Sequence, residues 1–484
     1  MQTLIQSVLT LQNGTLESVD VLLMGDGPDG PVLDHRIHTV APAHTLPVAP
    51  HQRLIDGTDK LLLPGFVNGH THSSQVWQRG LIPQLPLELW LANVFESTPQ
   101  QLDQFYWGAV STAMDTLLSG GTCLMDHTYV IPGQELETVE ALVRGYKAVG
   151  IRAVIAPLMQ DLPFASGLPQ GCLLPQSASP RSAAEWLAMM EAMIAAFHDP
   201  DHGIYIGVGP TGFHRCSDEL LAGCRELSDR HHLCYHTHLL ETRAQQRLAQ
   251  ERYGISAVQH LHNLGCLTPR TSVAHGVWID DGDIEILASA GATLVHNPVS
   301  NLRLGSGLAP ILRCRQLGLN VSFGCDGAAS NDAQNLLETI KLGTILHRVA
   351  DDDYHNWLTP EQTLQMAAAG GAKGVNLGDR IGTLAPDMAA DLVLYNLNHP
   401  DLLPRNHPLQ LLVLGRPTDV VEAVWVNGNQ IVDQGQVQTI DPDALHQALA
   451  HPTFAQSTVA RGRLQTQHHA VEPHYRQVMI HGPG

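Results

Sequence analysis

What this chain lacks narrows its chemistry. Basic residues are few: 27 Lys and Arg stand against 47 Asp and Glu, a formal net charge of −20. Nucleic acids and anionic membrane surfaces are gripped through a basic footprint, so neither is expected as a partner. No run reaches the roughly 18 apolar residues that a membrane-spanning helix needs. The opening MQTLIQSVLTLQNG has neither the basic start nor the apolar block of a secretory signal, so a cytoplasmic protein is expected. The eight cysteines are scattered and none forms a CxxC pair, the pattern of reduced residues in or near a core.

What is present is a large hydrophobic fraction, 44% of 484 residues, with 15% charged, and an unusual 28 histidines. That length exceeds one small domain and suits a barrel with an appended layer. From about residue 62, short β-like runs alternate with helical stretches, the pattern of βα units around a parallel sheet. The strand candidates are LLLPGFVNGHTH, TCLMDHT, IRAVIAPLM, GIYIGVGP, LCYHTHLL, TSVAHGVWI, ATLVHNPVS and NVSFGCDG. Helices are expected between them, among them Leu102–Ser119, Glu135–Val149, Ala183–Phe197, Ser217–His231 and Ile284–Ser289. Eight strands is the closure number of a (β/α)₈ (TIM) barrel. An open doubly wound sheet would need a glycine-rich phosphate turn after its first strand, and GHTHSSQ is not one. GGAKGVNLG, at 370–378, lacks Walker spacing and reads as a helix end and turn. The flanks read as short strands and turns, including the Gly/Asp/Pro-rich GDGPDGPVLD, ADLVLYNL and VVEAVWVNGNQIV. The expected organisation is a barrel over 62–382 and a small β-sandwich domain assembled from 1–61 and 383–484, with a C-terminal tail.

Gly-His-Thr-His at 69–72 closes the first barrel strand. Residues two apart on a strand share a side, so His70 and His72 can reach one ion. An HxH alone is weak evidence; its company strengthens it. His238 closes the fifth strand with Glu241 three residues on, His275 closes the sixth, and Asp326 closes the eighth. Each has an ordinary explanation taken singly, a hydrogen-bonded histidine or a helix-capping aspartate. At matching strand ends, where this fold places catalysis, their coincidence points to a metal site. Three imidazoles and a carboxylate suit Zn²⁺ or another borderline divalent ion. His236, two before His238, is either a supporting residue or a plain inward-facing one.

Over essentially its whole length, from LLLPGFVNGHTH to GTLAPDMAADLVLYNL and VWVNG, the chain resembles the amidohydrolase superfamily, in its metal-dependent aminohydrolase (deaminase) branch. The resemblance implies one divalent ion, zinc with iron as the alternative, held by His70, His72, His238 and Asp326. It implies hydrolysis by metal-bound hydroxide, with Asp326 accepting the proton of the attacking water. Glu241 would shuttle protons, and His275 would steady the water and the attacked ring. Members that open cyclic amides bridge two metals with a strand-four lysine; here no lysine stands between Lys147 and Lys341, so one metal is expected.

The substrate is less sharply marked. Gln75, at a spacing similar to that in guanine and 8-oxoguanine deaminases and hydroxyatrazine aminohydrolase, could pair with a ring carbonyl and N–H. Arg79 and the Asp126-His127-Thr128-Tyr129 run are similar to the last two. These features favour an amino-substituted oxo-heterocycle such as a guanine, pterin or hydroxytriazine. Trp77, Arg79, His127 and Asn301, the last within HNPVSNLRLGSGLAP, complete the candidate substrate contacts. LPLELWL at 85–91 instead resembles S-adenosylhomocysteine/methylthioadenosine deaminases, making Glu88 and Trp90 pocket candidates, although packing or surface roles suit both better. Pro210-Thr211-Gly212-Phe213-His214 departs from these patterns. A triazine-type hydrolase releasing chloride or alkylamine shares the site. A non-catalytic scaffold would be expected to have lost ligands that are all present. Relatives are often homodimers, and one is expected here.

Overall fold

The structure is a computed structural model describing residues 2–12, 14–24, 36–97, 101–170, 181–450 and 468–480. The GDGPDGPVLD turn, Cys172 and most of the stretch after 450 lie outside the described residues. Eight parallel strands build a barrel: Phe66–Thr71, Gly121–Thr128, Arg152–Met159, Ile204–Ile206, Tyr235–Leu239, Thr271–His275, Thr293–His296 and Asn320–Phe323. A bridge between Val208 and Tyr235 joins the fourth strand to the fifth. The eighth meets the first where Asp326 N donates to His70 O at 2.9 Å and Cys325 N donates to Asn68 Oδ1 at 2.8 Å.

The expected helices form on its outside, with Leu102–Leu118, Glu135–Val149, Ala183–Phe197, Asp218–His231 and Asp281–Ser289 among them. Local sequence sets their ends. Ser182 and Glu185 cap each other's backbone, and Ser217 accepts from Leu220 N. Such caps each contribute about 1 kcal/mol. Gly150, at φ 86°, ends Glu135–Val149 in the left-handed conformation.

The two-residue alternation of strands decides what faces the barrel axis. Cys123 and Met125 pack in the interior with Val67, Val154 and Cys234, while Leu124, Tyr235 and Leu239 face the helices. On the fifth strand the same inward series runs from Cys234 through His236 to His238. Ala372, Val375, Leu377 and Ile381 fill the barrel floor, so GGAKGVNLG is a helix end and turn closing the bottom.

LLLPGFVNGHTH is two strands, not one. Lys60–Pro64 leaves the barrel and joins a nine-stranded sheet with strands from both ends of the chain, pairing antiparallel with Leu392–Asn396. The break falls at Gly65, where a Cβ would sit 2.1 Å from Thr122 Oγ1. Alternation then serves two cores at once. Leu62, Leu392, Leu394 and Trp425 pack with Ile5, Val21 and Ile37, whereas Leu61, Leu63, Val393 and Tyr395 pack toward the barrel helices. Arg152 and Asp391, each 1% exposed, lock the two parts with a two-pronged pair at 2.9 and 3.0 Å. Among the described residues no helix is long and apolar enough to cross a membrane.

Candidate active site

The strand ends bring the imidazoles and the carboxylate together. His70 Nε2 lies 3.5 Å, and His72 Nε2 3.3 Å, from Asp326 Oδ1. His238 Nε2 is 3.4 Å from His72 Nε2. Ligand bonds of roughly 2.1 Å in tetrahedral array would separate donor atoms by about 3.4 Å, so the spacing fits a single divalent cation. The outer nitrogens are fixed by oxygens: His72 Nδ1 donates to His127 O, and His238 Nδ1 donates to Thr211 O at 2.8 Å. That leaves each inner nitrogen as a lone pair, as a ligand must be. His70 Nδ1 meets His236 Nε2 at 2.8 Å, and His236 Nδ1 meets Ser272 Oγ at 2.6 Å. His70 Nε2 is buried without a hydrogen-bond partner. An isolated buried acceptor is costly, and a bound cation would satisfy it.

Electrostatics agree. Burial first, then the neighbouring imidazoles, holds His238 well below its usual range, and burial takes His70 down to about 3. Both are therefore unprotonated at neutral pH. Burial alone would raise Asp326, but the surrounding His70, His72 and His275 hold it well below the ordinary carboxylate range. His275 and Asp326 have φ of 77° and 58°, left-handed values that cost a non-glycine residue free energy and cluster where geometry serves function.

Beside the cage, Glu241 Oε2 lies 3.7 Å from His275 Nε2. Burial, then the Asp326 and Glu88 carboxylates, pushes Glu241 well above the usual range, and its Oε1 has no hydrogen-bond partner. His275 Nδ1 is tied to Asn301 Oδ1 at 2.9 Å, and burial lowers its pKa. The site therefore holds a carboxyl biased toward its protonated form beside one biased toward ionisation. Such a pair can divide acid and base duties.

These groups open into a cavity of about 330 Å³. Gln75 is in its wall, its Oε1 accepting from Ala329 N at 3.3 Å; Gly327 permits the approach, since a Cβ there would stand 1.9 Å from that oxygen. Trp90 also lines the cavity, although sequence favoured a packing or surface role. Glu88 is buried and accepts from Thr242 Oγ1 at 2.6 Å. Four candidate substrate contacts lie elsewhere. Trp77 donates from its indole to Gln104 O, and Arg79 pairs with Asp115 at 2.9 Å in a separate recess. His127 stacks behind His238 at 4.7 Å, and Asn301 stands behind His275. The physical reason for the first two is the turn Ser73–Gln78, a 3₁₀-helix with three residues per turn. Gln75 and Gln78 share its cavity side, and Trp77 and Arg79 do not. Asp126 is structural: it accepts from Ser73 N and Oγ and from Tyr146 OH, fixing the turn after His72.

Sequence reasoning missed the far wall: Gln160, Arg181, Trp186, His214 and Arg215. Its one available signal was the unfamiliar run after strand four, which ends beside Arg215.

Comparison with known proteins follows the geometry. The family model described as "Amidohydrolase family" matches residues 61–431. The 5'-deoxyadenosine deaminase of Methanothermobacter thermautotrophicus is 32% identical over 84% of this chain and 90% of its own length. The 5-methylthioadenosine/S-adenosylhomocysteine deaminase of Syntrophobacter fumaroxidans is 31% identical over 90% of this chain and 95% of its own. The zinc-complexed atrazine chlorohydrolase of Arthrobacter aurescens superimposes with a TM-score of 0.83 at 25% identity, covering 92% of this chain and 99% of that one.

Proposed function

Since the chain belongs to the amidohydrolase family, we propose that it is a zinc-dependent hydrolytic deaminase of adenosine nucleosides altered at the 5' position. The observation that carries this reading is the cage itself, with donors 3.3–3.5 Å apart beside a carboxyl biased toward protonation. His70, His72, His238 and Asp326 would hold the cation, a borderline N₃O set that suits zinc. When bound there, such an ion polarises water and lowers its pKa toward neutrality.

The chain's own residues supply the rest. Asp326, held ionised, accepts the proton of the attacking water. Glu241, held protonated, donates to ring nitrogen N1 as the water oxygen bonds to C6, and then returns a proton to the departing amine. Ammonia and the 6-oxo nucleoside result, and atoms balance with one water consumed. His275, neutral and anchored by Asn301, is oriented to hold the attacking oxygen by hydrogen bond. Gln75 faces the ring. The apolar wall of Leu87, Trp90, Leu91, Val94, Phe95 and Leu304 extends beyond what a compact oxo-purine covers, and it supports a nucleoside with a 5' substituent. The curated relatives' substrates support the same reading.

The test is metal analysis of the purified protein, then ammonia release from 5'-deoxyadenosine, methylthioadenosine, S-adenosylhomocysteine, adenosine, guanine, 8-oxoguanine and a hydroxytriazine. The expected result is ammonia from 5'-altered adenosines, abolished by a chelator and restored by zinc. Zinc-loaded protein that spares every nucleoside but acts on a free base, or releases chloride from a chlorotriazine, overturns it.

A further inference from the structure

One cation in the cavity wall has no counter-ion. Arg215, 6% exposed, lines the cavity just after the fourth strand. Its guanidinium makes one hydrogen bond among the described residues, from Nη1 to Gln160 Oε1 at 3.4 Å, and none of their carboxylates pairs with it. The guanidinium carbon lies 5.5 Å from the Phe95 ring centre and 5.8 Å from that of Phe164, and those rings meet edge to face at 5.6 Å. The backbone holds it in place as well: Arg215 N donates to Gly212 O, and Arg215 O accepts from Leu162 N. The neighbouring Arg181 contrasts with it, being paired with Glu135 of the same wall.

A buried guanidinium without a partner is expensive, because removal from water is not offset by a nearby anion. Burial lowers Arg215 only to about 10, so it stays charged at neutral pH. The carboxyls that act on it through space, Glu241 and Glu88, are themselves pushed by burial toward the neutral form. Apart from the metal cage, the cavity therefore carries one uncompensated positive charge. It is held flat between aromatic rings with part of its donor fork facing the space where a substrate sits.

We propose that Arg215 is a specificity residue that receives a carboxylate at the end of the substrate's 5' substituent. The claim rests on the deaminase reading and narrows it, from 5'-altered adenosines in general to those ending in a monoanion. One guanidinium is balanced by one carboxylate. A phosphate would bring a second negative charge into a wall that already holds Glu135, and an uncharged methyl end would leave the cation unpaired. The apolar stretch of Leu91, Val94 and Phe95 suits the aliphatic or thioether linker between nucleoside and carboxylate.

The experiment compares kcat/KM for ammonia release from three adenosines: S-adenosylhomocysteine (carboxylate-ended), methylthioadenosine (methyl-ended) and adenosine 5'-monophosphate. A hydrogen-bonded buried charge contributes enough to favour the carboxylate-ended over the methyl-ended substrate roughly 10- to 100-fold. The phosphate is expected below the carboxylate. In Arg215→Met the carboxylate-to-methyl ratio should fall to near one, and Arg215→Lys, which keeps charge but loses the fork, should lie between. Calorimetric binding of the same ligands to the zinc-loaded protein reads the ratio without turnover. It therefore separates the two claims: a carboxylate preference in binding without ammonia release sinks the deaminase reading and leaves Arg215 standing. Equal kcat/KM and equal affinity for carboxylate and methyl ends, unchanged in Arg215→Met, overturns the assignment. A phosphate preferred over the carboxylate overturns it too.

Discussion

Replacing Glu241 with glutamine tests the division of labour most directly. The amide has nearly the shape of the acid and lacks a proton it can give up at neutral pH. Glu241 stands beside His275 at 3.7 Å, outside the set of donors spaced 3.3–3.5 Å apart, so metal content is expected to match the wild type. Its burial, and the two carboxylates acting on it, bias it toward the acid form that the reaction uses. No other group near the cage offers a carboxyl so biased: Asp326 is held ionised and His275 neutral. The substitution therefore removes the whole general-acid contribution, with no substitute at hand. Such contributions amount to about 10²- to 10⁴-fold, or roughly 3–5 kcal/mol of barrier at 1.36 kcal/mol per decade. The assay is steady-state ammonia release at saturating nucleoside, with metal per chain measured on the same sample. A fully metallated glutamine variant that keeps more than about a tenth of the wild-type kcat would refute the role.

Two further predictions concern stability. Asp391→Leu strands the buried Arg152 charge and should cost about 3–5 kcal/mol, read as a lower urea midpoint, while Arg152→Met with Asp391→Leu should recover most of it. A double variant weaker than either single change would contradict this account. Glu88→Gln should alter how stability varies with pH. Burial raises the Glu88 pKa in the folded state, so its contribution is fully present below the unfolded carboxylate pKa and fades as pH rises through the folded value. The glutamine variant, which can still accept from Thr242, should melt above the wild type near neutral pH, with the gap closing on acidification. A gap that does not change with pH would argue against this.

The cage residues were legible in the sequence because their message is short-range. Each sits at or just past a strand end, and two-residue alternation fixes the side it faces, as His236 and His238 continue the inward series from Cys234. Spacing failed where the backbone stopped being a strand. After His72 the chain tightens into a 3₁₀ turn, which sends Gln75 to the cavity and Arg79 to Asp115. His127 and Asn301 were rightly drawn to the site's neighbourhood, but they stand behind the imidazoles. The far wall was invisible for another reason. Arg215, Gln160 and Trp186 reach one cavity from separate loops and a helix, and no local pattern records such a meeting. The run LLLPGFVNGHTH looked continuous because both halves are apolar; what divides it is the side chain of Thr122, far along the chain.

The nine-stranded sheet also bears on the order of assembly. Lys60–Pro64 hydrogen-bonds to Leu392–Asn396 with more than half of the chain between them. During synthesis the earlier strand must wait, one edge bare, until the entire barrel has left the ribosome. Long-range pairing of this kind is slow to form and leaves an open edge able to recruit strands of other molecules. Growth at higher temperature, or a pause in translation before residue 392, should therefore harm the yield of native protein more than its activity once folded.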